Sequence, residues 1–132
     1  MSDPASIPTP EGPAGLLLSR DLIFTSKITG TAAAMGHQVI VAGDTALASA
    51  ILARWKPVVV FVDLAAGELV GSLALLQYQE VVGPGTPFLA FGSHVDVQAL
   101  AVAAAAGCDP VMPRSRFTAE LPALIRRYFG EG

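Results

Sequence analysis

The chain has 132 residues, 8 basic and 11 acidic, for a net charge of -3, with 52% hydrophobic and 14% charged residues. That is the size of one domain with a real core. It argues against disorder over most of the length, against the basic footprint of a nucleic-acid binder, and, with Cys108 as the single cysteine, against an intramolecular disulfide or a zinc cluster. No apolar stretch reaches the roughly 18 residues of a membrane span. MSDPASIPTPEGPAG has four prolines and lacks the basic start and apolar core of a signal peptide. Residues 1–14 are therefore expected to be a flexible Pro-rich tail and residues 15–130 the domain, in a cytoplasmic protein with no membrane contact.

In chain order, GLLLS (Gly15 to Ser19) predicts a first strand. LIFTSKITGTAAAM, Leu22 to Met35, predicts a helix that Gly36 ends, and HQVIVAG a second strand. DTALASAILARW follows as a helix capped by Asp44 or Thr45, with Ala46, Ala50, Leu52 and Ala53 near helical spacing. PVVVFVD is the third strand, apolar on both faces as a buried parallel strand is, and it ends on Asp63. GELVGSLALLQYQEVVG predicts a third helix with Leu69, Val70, Leu73 and Leu76 inward. TPFLAFGS is a fourth strand, DVQALAVAAAAG an Ala-rich fourth helix and PVMPR a short fifth strand. FTAELPALIRRYF closes the chain, with Thr118 as expected N-cap and Pro122 in the tolerant first turn.

Five strands alternating with five helices imply a parallel sheet covered on both faces. The expected fold class is α/β, a flavodoxin-like (βα)5 doubly wound sandwich with a five-stranded parallel sheet in the order 2-1-3-4-5. Its switch point falls between strands one and three, where Ser19, Arg20 and Asp21 end one strand and Asp63 ends the other. The sequence stretches MGHQVIVAGDTALASAILARWKPVVVFVDL and AAAAGCDPVMPRSRF, with Asp63 after a buried third strand, resemble the receiver domain of bacterial two-component response regulators from Gly15 to Phe129. The resemblance implies a phospho-accepting aspartate at Asp63, Mg²⁺ as its cofactor and a histidine kinase as partner. It also implies an acidic pair after strand one, a Ser or Thr after strand four and a lysine at the end of strand five. The matching positions here are Ser19 and Arg20 with Asp21 next, Gly92 with Ser93 next, and Arg114.

Those substitutions decide the functional expectation. Phosphoryl transfer to a carboxylate needs a metal to neutralise charge, and Mg²⁺ asks for carboxylate oxygens. A guanidinium about 4 Å from such an ion opposes it by roughly 4 kcal/mol at an effective dielectric near 20, while the same charge attracts Asp63. Arg20, Arg114 or both are expected to pair with Asp63 in the metal's place. The expectation is a pseudo-receiver: a non-enzymatic signalling module that uses no cofactor or metal and acts by protein–protein interaction. The resemblance places its contacts with a partner or a second copy on the helix 4, strand 5, helix 5 face, with Val102, Arg116, Leu124, Arg127 and Tyr128. Two alternatives stand beside it. One is a working single-domain response regulator phosphorylated on Asp63 by a histidine kinase with Mg²⁺. The other is a flavodoxin-like binder of a nucleotide or small molecule, which SRDLIFTS suits poorly because it lacks a Gly-rich phosphate cradle. His94 and His37 are read as solvated or half-buried, Cys108 as a buried inert thiol, and GPG (Gly83 to Gly85) as a turn.

Overall fold

The computed structural model describes residues 7–130. The elements alternate as expected: β1 (Ala14–Leu18), α1 (Leu22–Ala34), β2 (Gln38–Ala42), α2 (Thr45–Arg54), β3 (Val60–Asp63), α3 (Ser72–Val82), β4 (Phe88–Gly92), α4 (Val97–Ala105), β5 (Val111–Pro113) and α5 (Arg114–Phe129). The sheet is five-stranded and parallel, in the order β2-β1-β3-β4-β5. Leu16 is in register with Val60, and Asp63 with Phe91.

The period of two along each strand splits the core into two layers. Leu16, Leu18, Val60, Val62, Phe88 and Ala90 face one side, where Ile51, Leu75 and Tyr78 cover them. Leu17, Phe61, Leu89 and Phe91 face the other, against Ile28, Phe117 and Ile125. Leu124, expected on an exposed partner face, is buried in this second layer.

Several local expectations are corrected. The third helix is two pieces: a 3-10 turn over Gly67–Val70, and α3 from Ser72. The break at Gly71 resets the helical phase. Leu69 and Val70 stay buried, but Leu75, Tyr78 and Val82 turn inward while Leu73 and Leu76 turn out. In α2 the buried face is Ala48, Ile51 and Leu52, with Ala46 and Ala53 exposed, because the larger Ile51 removes more apolar surface from water than alanines do. The fifth helix begins at Arg114, so Pro122 is interior. The Thr118 hydroxyl donates to the Arg114 carbonyl within that helix and caps nothing. Asp21, Asp44 and Asp96 are the N-caps of α1, α2 and α4.

Part of the tail expected over residues 1–14 is seated. Residues 1–6 lie outside the described residues, but Ala14 already belongs to β1, Ile7 packs on the first core layer, and the Trp55 indole donates to the Pro8 carbonyl at 3.0 Å. No described helix is long and apolar enough to cross a membrane. Cys108 is a free thiol in the first core layer, and burial pushes its pKa from 9.0 up to about 11. The thiolate fraction near neutral pH is then about 100-fold below that of the unfolded chain. We expect alkylation of Cys108 at pH 8 to be slower than in denaturant by at least that factor, read by mass spectrometry. Between pH 9 and about 11 the unfolded chain gives up this proton first, so stability should fall as pH rises through that window. Cys108→Ala should flatten the decline.

Candidate functional site at the carboxyl edge of the sheet

The edge is built from the ends of β1, β3 and β4 and the start of α5. Asp63 is the last residue of β3 and only 1% exposed. A carboxylate taken out of water must find donors for both oxygens, and its own chain supplies them. The Ser19 hydroxyl donates to Oδ2 at 2.7 Å. The Ala65 backbone N–H donates to Oδ1 at 3.0 Å in a local turn. Arg114 Nη2 donates to the same Oδ1 at 2.9 Å, which makes the pair a charge-assisted hydrogen bond. The Arg114 guanidinium also lies over the Phe24 ring, 4.8 Å from its centre. Phe24 in turn leans on Phe91 and Phe117, so the aromatic layer beneath the site holds the cation in place.

Of the residues singled out in the sequence, Ser19, Asp63 and Arg114 come together and Arg20 does not. Just past the end of β1 the Ser19 hydroxyl meets Asp63, while Arg20 turns away, where its Nε donates to the Gly43 carbonyl at 2.9 Å. Of the two arginines expected at Asp63, it is Arg114 that pairs and Arg20 that does not. Arg114 alone makes that ion pair among the described residues. Asp21 does not slip into the site either. Its backbone N–H donates to Ser19 Oγ at 3.3 Å, and its carboxylate accepts the Phe24 N–H at 3.0 Å as the cap of α1. Gly92 ends β4, and a Cβ there would lie 3.1 Å from Leu64 Cβ, so Leu64 fills the space a hydroxyl-bearing side chain at that position would need. Ser93 is exposed, and with Ala65, His94, Arg114 and Ser115 it lines an open cleft beside the ion pair.

Sequence reasoning missed Ala65, Leu64 and Phe24. The Asp-x-Ala turn was legible in principle, because an aspartate often accepts the N–H two residues on. Nothing in the sequence pointed to Phe24, whose contact with Arg114 joins the starts of α1 and α5.

The donor set does not suit Mg²⁺. Both Asp63 oxygens are engaged by Ser19, Ala65 and Arg114, and Asp21 is committed to a helix cap. No three His, Cys, Asp or Glu side chains cluster to hold a metal among the described residues. Mg²⁺ asks for carboxylate oxygens and near-octahedral geometry, and here the adjacent charge is a cation. Elsewhere at this edge, the Tyr78 hydroxyl donates to the Leu69 carbonyl at 2.7 Å. Burial, with the nearby Asp44 charge, pushes its pKa up to about 12 against the lowering effect of Arg20, so it remains a neutral structural donor.

No protein-family description matches the chain, and no curated protein matches it. Solved structures do. The receiver domain of a sensor histidine kinase from Pseudomonas aeruginosa, with a magnesium ion coordinated in its active-site cleft, superposes with a TM-score of 0.76 at 19% identity, over 91% of this chain and 99% of that one. A response regulator from Thermotoga maritima gives 0.73 at 20% identity, over 90% and 98%. A putative response regulator from Chloroflexus aurantiacus gives 0.74 at 16% identity, over 91% and 100%. The strand order, the five covering helices and these superpositions agree: the chain has the fold of a response-regulator receiver domain.

Proposed function

We propose that this chain is a pseudo-receiver: a non-enzymatic, cytoplasmic signalling module that acts through protein–protein contact, with Asp63 held in a permanent ion pair instead of being phosphorylated through Mg²⁺. The observation that carries the reading is the 2.9 Å contact of Arg114 with a carboxylate that is 1% exposed. An attacking carboxylate needs a free oxygen in line with the phosphoryl group and a metal bridging to the phosphoryl oxygens. Here Oδ1 holds Arg114 and the Ala65 N–H, and Oδ2 holds the Ser19 hydroxyl. Arg114 neutralises the aspartate as a metal would, but it is tethered to α5 and delivers no second ligand. The absence of a hydroxyl at Gly92 removes a further group that would read a bound phosphate.

The test is intact mass after incubation with Mg²⁺ and acetyl phosphate, with an ordinary receiver labelled in parallel. No phosphoryl adduct is expected on this chain under conditions that label the control. An adduct that disappears in Asp63→Ala would overturn the reading and make the chain a working receiver.

A further inference from the structure

The face formed by the 3-10 turn, α3 and α4 is apolar, and its charges are all of one sign. A groove of about 310 Å³ runs between α3 and α4, with Val70, Leu75, Ala99, Val102 and Ala103 among its walls. Leu76 lies one turn beyond the groove-lining Ser72 on the same side of α3. It is 50% exposed, and Leu73 is 85% exposed. Across the groove, α4 reads VQALAVAAA without a charged residue, and buries only Ala103. Its Val102 is 42% exposed and its Val97 69%. A nine-residue helix with so little of itself buried leaves an apolar surface that a monomer ordinarily covers.

The charge pattern narrows what covers it. From Pro57 to Pro113 the sequence holds no Lys or Arg, while Glu68, Glu80, Asp96 and Asp109 all lie in that span outside the Asp63 site. Asp96 lines the groove, and Glu80 lies one turn after Leu76 on α3. A two-fold dimer through this face would bring Asp96 and Glu80 of both copies into one interface with no cation of this span to answer them. An anionic membrane or a nucleic acid would meet the same repulsion. An apolar groove between two helices fits the stripe of an amphipathic helix, and a carboxylate rim fits flanking lysines or arginines.

We infer that the α3–α4 groove docks an amphipathic helix of a partner protein, one with an aliphatic stripe and basic flanks. This deepens the interaction-module reading by naming its face and its partner's chemistry. It does not depend on whether Asp63 takes phosphate, so the mass measurement and the one below fail separately.

The probe is a fluorescein-labelled synthetic helix of about 18 residues, with leucines at i, i+3, i+4 and i+7 and lysines beside them. Its twin carries glutamate for lysine. Anisotropy with the full chain is expected to show micromolar binding of the lysine helix and at least tenfold weaker binding of the twin. Val102→Lys and Glu80→Lys should each weaken the lysine helix at least tenfold, while Leu22→Ser, on α1, should leave it unchanged. Circular dichroism melts check folding, and if Val102→Lys fails to fold, the exposed-site variant Leu76→Lys takes its place. Equal affinity for the two helices, no binding, or binding insensitive to the groove variants would each overturn the proposal. So would a sedimenting dimer that Val102→Lys dissolves, since the occupant would then be a second copy.

Discussion

Replacing Arg114 with alanine is expected to lower the unfolding free energy by about 1–3 kcal/mol. Asp63 is buried and would lose its only ion-pair partner among the described residues. Breaking a fully buried pair costs roughly 3–5 kcal/mol. The expectation is lower here because 36% of the Arg114 side chain is exposed and solvent already screens it. Ser19 and Ala65 also continue to donate to the carboxylate. Arg114→Lys keeps the charge but loses the planar contact with Phe24, so a smaller loss is expected. The decisive measurement is a double-mutant cycle with Asp63→Ala, read by urea unfolding. The coupling should be about 1–2 kcal/mol. If the two single losses simply add, the ion pair contributes nothing to the fold, and the idea of Arg114 as a resident counter-charge is wrong.

Phe117→Ala should be the more damaging substitution, at about 3–5 kcal/mol. Phe117 is fully buried, stacked on Phe91 with ring centres 4.1 Å apart and edge-on to Phe61 at 5.4 Å. Truncation would leave a cavity in the middle of the second core layer, where aromatic pairs add to simple burial. Against a total stability of about 5–15 kcal/mol for a typical domain, that is a large share. The substitution should also reach the site. Phe117 lies one turn after Arg114 on α5 and touches Phe24, the ring beneath the guanidinium. The milder Phe117→Leu should therefore keep the fold and reduce the Asp63–Arg114 coupling. An unchanged coupling would show that the aromatic layer supports the helix but does not position the cation.

Much of the architecture was legible because it rests on local pattern. Apolar runs such as VVVFV and FLAF have the length and β-branched or aromatic content of buried strands. Their strict alternation with helical stretches leaves few connections for a right-handed parallel sheet. Helix faces were less legible. Leu73 and Leu76 have helical spacing with Leu69, yet Gly71 interrupts the helix and rotates them to the surface. The start of α5 is hidden in the sequence, because Pro113 and Arg114 have the pattern of a strand end while serving as the cap and first residue of a helix.

The sequence by itself determined the strand order and the placement of Asp63 at the carboxyl edge. These follow from the order of residues along the chain and the period of each element. Only the tertiary structure decided which arginine meets Asp63. Arg20 lies two residues past the end of β1 but its side chain turns to Gly43, whereas Arg114, 51 residues after Asp63, reaches Oδ1 across the edge. That choice depends on the direction of side chains from neighbouring elements, and on a Phe24 ring brought under Arg114 by the packing of α1 beside α5. Periodicity specifies which residues face a sheet, but side-chain partners across its edge are set by three-dimensional packing.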